Sequence, residues 1–206
     1  MIRKSAEIIS IVFHPLIQTT LLAASIYFFM PELLKPFDND TVPSLLFMLA
    51  TLTFLVPLMS IVALKVIGAI SSIRMENRSE RLMPFFFIGC YYALTVYMFS
   101  QRIVLSDIMI LILLTVTVLI FLIFLITFFY KISVHAAASW GVFGILMAIH
   151  MRLPDAPLLM PLIAFLLLAG SISSARLLLN AHTPAEVHSG AVLGFVLCFG
   201  FLYFMM

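Results

Sequence analysis

Charge is what this sequence has least of. It carries 11 Lys and Arg and 9 Asp and Glu in 206 residues, 10% in all, against 64% apolar residues. That scarcity excludes an ordinary soluble domain, in which about a quarter of the residues are charged. A net charge of +2 is too small to point to a nucleic-acid partner, and the basic residues fall in short clusters between apolar runs. Cysteine is nearly absent as well. Cys90 and Cys198 each sit in apolar sequence without a pairing motif, so they read as packing residues and identify no redox compartment. Neither an internal repeat nor a separate soluble domain is visible.

What the chain has instead is long apolar runs, and its mean hydropathy is +1.23. The clearest run is Ile108 to Tyr130, 23 residues broken by Thr115, Thr117 and Thr127. As a helix it would be roughly 35 Å long, enough to cross a hydrocarbon core of about 30 Å. Punctuation by Pro, Gly and charge gives seven apolar segments, near 5–30, 44–70, 84–100, 106–130, 133–150, 157–178 and 186–205. Arg3 and Lys4 ahead of Ala23-Ala24-Ser25 mimic a cleaved leader, but His14-Pro15 and Gln18 interrupt the first run, which is therefore kept as a span. The runs are too long and too unalternating for barrel strands. The expected fold is all-α: a polytopic transmembrane helical bundle of about six to seven spans, with residues 1–206 as one integral-membrane domain.

Against this background the segment "SARLLLNAHTPAEVHSG", residues 174–190, is conspicuously polar. Intramembrane or juxtamembrane ionisable residues mark functional sites. Two further clusters, Arg74 to Arg81 and Lys131 to His135, follow the second and fourth runs, and this one follows the sixth. Each lies an even number of crossings from the N-terminus, so all three are expected to open on one membrane face. Together they hold five of the eleven Lys and Arg and three of the five His.

Plainer explanations stand beside this. Arg74, Arg78 and Arg81 would serve as a juxtamembrane basic belt paired with Glu76 and Glu80 at helical spacing. Lys131 suits a snorkelling anchor and His135 an interfacial histidine. Thr183-Pro184-Ala185-Glu186 is a capping box, which alone accounts for Glu186. Capping does not account for His182 or Arg176. His188 reads as a histidine at a wet helix start, and His14 and His150 receive no role. Gly190-x3-Gly194 reads as a close helix contact that positions the site helix.

Arg176, five residues, His182, three residues and Glu186 reproduce the spacing of the third motif of the membrane-bound type-2 phosphatidic acid phosphatases, S-R-x5-H-x3-D. Ile132-Ser133-Val134-His135 stands where that family has P-S-G-H, and Arg74, six residues and Arg81 stand where it has K-x6-R-P, with Arg78 a competitor for Arg74. The chain resembles this family over residues 74–190. It departs from the pattern at Arg74 for Lys, at Pro84, which lies three residues after Arg81, at Ile132 and Val134, at Ala175 for Ser, and at Glu186 for Asp.

The chemistry of phosphoryl transfer needs the same residue types. Positive donors must surround the non-bridging oxygens, a nucleophile must lie in line, and an acid must protonate the leaving oxygen. Arg74, Arg78, Arg81 and Arg176 suit the first task, with Lys131 and the Ser133 hydroxyl adding contacts. Neutral His182 suits the second, oriented by Glu186 if the helix extends back far enough. His135 suits the third and would later activate water. The resemblance implies these roles too. It further implies a phosphohistidine intermediate, hydrolysis of a phosphorylated lipid or prenyl pyrophosphate, and no metal or other cofactor. It places such a protein in a bacterial inner membrane with the site on the periplasmic side, whereas the remaining basic residues, Arg3, Lys4 and Lys65 against Lys35, Arg102 and Arg152, tie and do not orient the chain. Alternatives from other classes are a transporter or binding protein for an anionic lipid, a lipid phosphotransferase, and a metal site built from His135, His182, Glu186 and His188.

Overall fold

The computed structural model describes residues 2–73, 75, 77–103 and 105–206. Among these there is no strand. The helices are α1 (Ile2–Val12), α2 (Pro15–Phe29), α3 (Val42–Ala50), α4 (Val56–Val66), α5 (Leu82–Gln101), α6 (Asp107–Thr127), α7 (Val134–Arg152), α8 (Leu159–Leu178) and α9 (Pro184–Met205). Six stretches are long and apolar enough to cross a membrane, with α3 and α4 joined into one of them, Val42–Val66; the pair α1–α2 makes a seventh if taken as one broken span. The chain is an all-α, polytopic integral membrane protein. The first apolar run, kept as a span despite the interruption at His14-Pro15, is two helices, α1 and α2, bent by 68° at that break. Pro15 cannot supply the N–H that would continue α1, and it starts α2 at its favoured first position instead.

The residues divide into two compact units, Glu32–Lys131 and the remainder, Met1–Pro31 with Ile132–Met206. In the unit Glu32–Lys131, α5 packs on α6 and on α4. The Thr hydroxyls that interrupt α6 are not left bare in the membrane: Thr115, Thr117 and Thr127 each donate to the carbonyl four residues back, at 2.7 Å. Between α3 and α4 lies a π-helical turn, Thr51–Leu55. Its cause is Pro57, which has no N–H to give to the Thr53 carbonyl. That carbonyl accepts the Tyr92 hydroxyl from α5 instead, at 3.4 Å. Outside the spans, Thr41 donates its N–H and hydroxyl to Asp38, which holds that carboxyl below the usual range.

The second unit is organised around α7, whose buried residues include Ala136, Ala137, Val142, Ile145, Leu146, Ala148 and Ile149. Small residues let α9 come very close to it. A Cβ at Gly190 would meet the Ser133 carbonyl oxygen at 2.5 Å, one at Gly194 would overlap the Ala137 carbonyl, and one at Gly144 would meet the Phe195 carbonyl at 2.9 Å. Without a hydrophobic drive between helices in lipid, such backbone approach is a main source of association. Farther along, Phe143, Phe195, Phe199 and Tyr203 stack in series, and the Arg152 guanidinium lies 5.2 Å from the Tyr203 ring centroid.

Candidate functional site

The polar segment 174–190 is built by two chain-end devices in succession. α8 closes with a Schellman arrangement: Asn180 takes the left-handed conformation (φ 52°), its N–H reaches the Leu177 carbonyl, and the Ala181 N–H reaches the Arg176 carbonyl. Asn is the residue after Gly that tolerates this conformation best, which accounts for Asn180. Two residues later α9 opens with the capping box read from the sequence. Glu186 N–H donates to Thr183 Oγ1 at 3.3 Å, and Thr183 N–H donates to Glu186 Oε2 at 3.2 Å. His182 is held in the short link between these devices.

Its Nδ1 lies 2.8 Å from Glu186 Oε2, the same oxygen that takes the cap hydrogen bond. The helix does not extend back to His182, as the sequence reading required; the tight turn at Thr183 brings the two together without it. The His182 side chain is 2% exposed and that of Glu186 15%. A carboxylate accepts from Nδ1–H, so the partner fixes the tautomer, with the ring proton on Nδ1 and the lone pair on Nε2.

Ser133 joins α7 to this turn. Its N–H donates to the Glu186 carbonyl at 3.1 Å. Although Ser133 stands at the N-cap position of α7, its hydroxyl makes no cap hydrogen bond; Oγ is buried and has no hydrogen-bond partner. Buried hydroxyls are rarely left so.

The third component is a residue that carries no spacing signal. Ser10, near the end of α1 and buried, accepts from Arg176 Nη1 through its hydroxyl at 2.7 Å. Its carbonyl lies 3.1 Å from His135 Nε2. The helix stops at Val12, so residue 14 supplies no helical N–H to that carbonyl, and the imidazole takes the place of the missing donor. His14 follows the break, accepts the Leu16 N–H at 3.4 Å as N-cap of α2, and sets its ring edge-on to that of His135, centroids 5.4 Å apart. Arg176 acts electrostatically on both His14 and His135, and His182 acts on His135. For His14 the sequence signal is the break itself, His14-Pro15.

Of the residues singled out from the sequence, Ser133, His135, Arg176, His182 and Glu186 thus gather at one end of one unit. His188 faces outward and is exposed. Arg74 and Glu76 lie outside the described residues. Arg78 and Arg81 belong to the unit Glu32–Lys131, as does the half-buried Lys131 at its edge. Arg78 is exposed, at the start of the short 3-10 turn Ser79–Arg81. Arg81 is buried and donates from Nε to the Met75 carbonyl at 2.8 Å. Among the described residues Glu80 makes no ion pair with an arginine. It accepts from Ser71 N–H and Oγ and from Asn77 Nδ2, closing the loop on itself. Among the described residues no three His, Cys, Asp or Glu side chains are placed to hold a metal ion.

Comparison with protein-family models, with characterised proteins and with solved structures returns no match.

Proposed function

We propose that the protein is an integral-membrane lipid-phosphate phosphatase that works through a phosphohistidine on His182. The observation that carries this reading is the 2.8 Å contact of His182 Nδ1 with Glu186 Oε2, which puts the ring proton on Nδ1 and the lone pair on Nε2. An imidazole so oriented is a nucleophile at neutral pH, and the carboxylate stabilises the positive ring that forms when it attacks. Arg176 and the unpartnered Ser133 hydroxyl are donors suited to the non-bridging phosphate oxygens.

In the reaction, His182 Nε2 attacks phosphorus and the bond from phosphorus to the lipid oxygen breaks. His135, doubly protonated when the negative charge of the phosphate is bound beside it, gives that oxygen its proton. With Nε2–H engaged by the Ser10 carbonyl, Nδ1 is the nitrogen that releases the proton and later takes one from water. The resulting hydroxide oxygen attacks phosphorus, the P–N bond breaks, and His182 and inorganic phosphate are restored. The sequence pattern alone assigns further phosphate contacts to Arg74, Arg78, Arg81 and Lys131. The same resemblance puts the protein in a bacterial inner membrane with its site on the periplasmic side.

The test is phosphate release from phosphatidate, phosphatidylglycerol phosphate and prenyl pyrophosphate by the purified protein in detergent with chelator present. Turnover that is lost in His182→Ala, with the variant still folded, is expected. Turnover that needs an added metal, or persists in that variant, would overturn the reading.

A further inference from the structure

A serine inside a helix can return its hydroxyl hydrogen to the carbonyl one turn back. Ser25, Ser171 and Ser174 do so here, donating to the Leu21, Leu167 and Gly170 carbonyls at 2.9, 2.7 and 2.9 Å. Ser10 does not. Its Oγ meets Arg176 Nη1 at 2.7 Å, and a guanidinium carries only donors, so the serine oxygen is the acceptor in that bond. The hydroxyl hydrogen is still to be given, and it has no acceptor among the described residues. Ser10 is 6% exposed, so bulk water does not supply one freely. A buried donor in this state costs free energy until something accepts from it.

The place of this donor is set twice over. The Ser10 side chain is tied to Arg176 on α8, and the Ser10 carbonyl lies 3.1 Å from His135 Nε2 on α7. One residue near the end of α1 thus touches both the guanidinium read as a phosphate ligand and the imidazole read as the acid for the leaving oxygen. Accepting from a cation polarises a hydroxyl and makes its own hydrogen a better donor. The acceptor that suits a hydrogen beside a guanidinium is an oxyanion, the group which that guanidinium itself attracts.

We propose that Ser10 is a phosphate-binding residue, whose hydroxyl accepts from Arg176 and donates to a non-bridging oxygen of the phosphoryl group that Arg176 binds. Ser10 stands outside residues 74–190, where the resemblance to the lipid phosphatases finds all of its site residues, so that resemblance does not assign it. The inference rests on the proposed reading of the site for the identity of the anion. It makes α1 a wall of the site.

Inorganic phosphate and phosphatidate share the phosphoryl oxygens, and both serve as probes. In Ser10→Ala, KM for phosphatidate and Kd for inorganic phosphate, the latter by calorimetry in detergent, should each rise about tenfold or more, the worth of a hydrogen bond to a charged group. The fall in kcat should be smaller. A crystal structure of the unmodified protein with tungstate needs no variant to fold, and it separates a serine that touches the anion from one that only steadies Arg176. A tungstate oxygen is expected within about 3.0 Å of Ser10 Oγ, with Arg176 on the same ion. Tungstate absent from Arg176, or held there with no oxygen near Ser10 Oγ, overturns the proposal. A loss confined to phosphatidate does so too, because it would set Ser10 against the lipid and not the phosphoryl group. Contact of Ser10 with tungstate in a protein that releases phosphate from no lipid leaves the donor standing and removes the phosphatase. Normal hydrolysis by Ser10→Ala with KM and Kd unchanged does the reverse.

Discussion

One oxygen of Glu186 serves two masters: Oε2 lies 2.8 Å from His182 Nδ1 and 3.2 Å from the Thr183 N–H. Capping and orienting a nucleophile are usually taken as competing explanations for a glutamate three residues into a helix. Here the cap is the means of orientation. Closing the box turns the chain at Thr183, and that turn delivers His182 to the carboxylate from outside the helix.

The two roles separate on substitution. Glu186→Gln retains an amide oxygen for the Thr183 N–H, and glutamine is a normal capping-box partner. It removes the charge that stabilises a cationic His182, a loss that costs about 10⁴-fold in the comparable serine-protease aspartate. We expect kcat to fall by about 10²- to 10⁴-fold with the thermal midpoint nearly unchanged, and Glu186→Asp to retain part of the activity. Normal turnover in Glu186→Gln would reduce Glu186 to a cap.

Ser133 makes an opposite kind of prediction for stability. Deleting a buried hydroxyl that has a partner destabilises, but Ser133 Oγ has none, so Ser133→Ala removes a desolvation cost and should leave stability unchanged or slightly raised. If the hydroxyl contacts phosphate, kcat/KM should drop by about tenfold or more, the worth of a hydrogen bond to a charged group. A stable variant with full activity would show that the Ser133 hydroxyl does not contact phosphate.

Much of this was legible in the sequence, and what was not has identifiable causes. The long runs announced spans because lipid leaves the backbone no alternative to internal hydrogen bonding. The Thr183–Glu186 box, the close contact at Gly190 and Gly194 and the proximity of His135 to His182 follow from local spacing plus the alternation of spans. Ser10 did not follow, because its use depends on where α1 stops and on which helix lies across that end, and a lone Ser at a helix end carries no spacing signal. The π turn before Pro57 was hidden similarly: proline predicts a disturbed ladder, but only packing brings Tyr92 to the freed carbonyl. Helical pairing of Glu80 with Arg78 or Arg81 is absent among the described residues, because residues 71–73, 75, 77 and 78 are not helical and only a short 3-10 turn, Ser79–Arg81, precedes α5.

Arg176 tests whether geometry or charge matters. Its Nη1 is given to Ser10, and the guanidinium still has further N–H donors on the same plane. A lysine at this position brings a point charge with three rotatable donors and cannot present a fixed fork while holding Ser10. Arg176→Lys should therefore lower kcat/KM by about 10- to 100-fold, mainly through KM, while Arg176→Ala should lower it further. Equal activity in arginine and lysine forms would mean that charge alone suffices.

The last expectation concerns the scaffold. α9 carries Glu186 in its first turn, with His182 in the link just ahead of it, and is pressed against α7, where Ser133 N–H donates to the Glu186 carbonyl. That contact depends on the absence of side chains at Gly190 and Gly194, since a Cβ at Gly194 falls on the Ala137 carbonyl, a backbone atom that cannot swing aside. Gly194→Ala must push the helices apart. Overpacking of this kind costs about 1–3 kcal/mol, so the thermal midpoint should fall by several degrees. The same displacement loosens the Ser133–Glu186 link, so turnover should fall too, in the protein that remains folded. Gly200 supplies the comparison: its Cβ would meet nothing, and alanine is favoured over glycine in a helix by about 1 kcal/mol. Gly200→Ala should thus match or exceed the parent in stability with unchanged activity. If the two alanine variants behave alike in both assays, the close approach of α7 and α9 is not what positions His182.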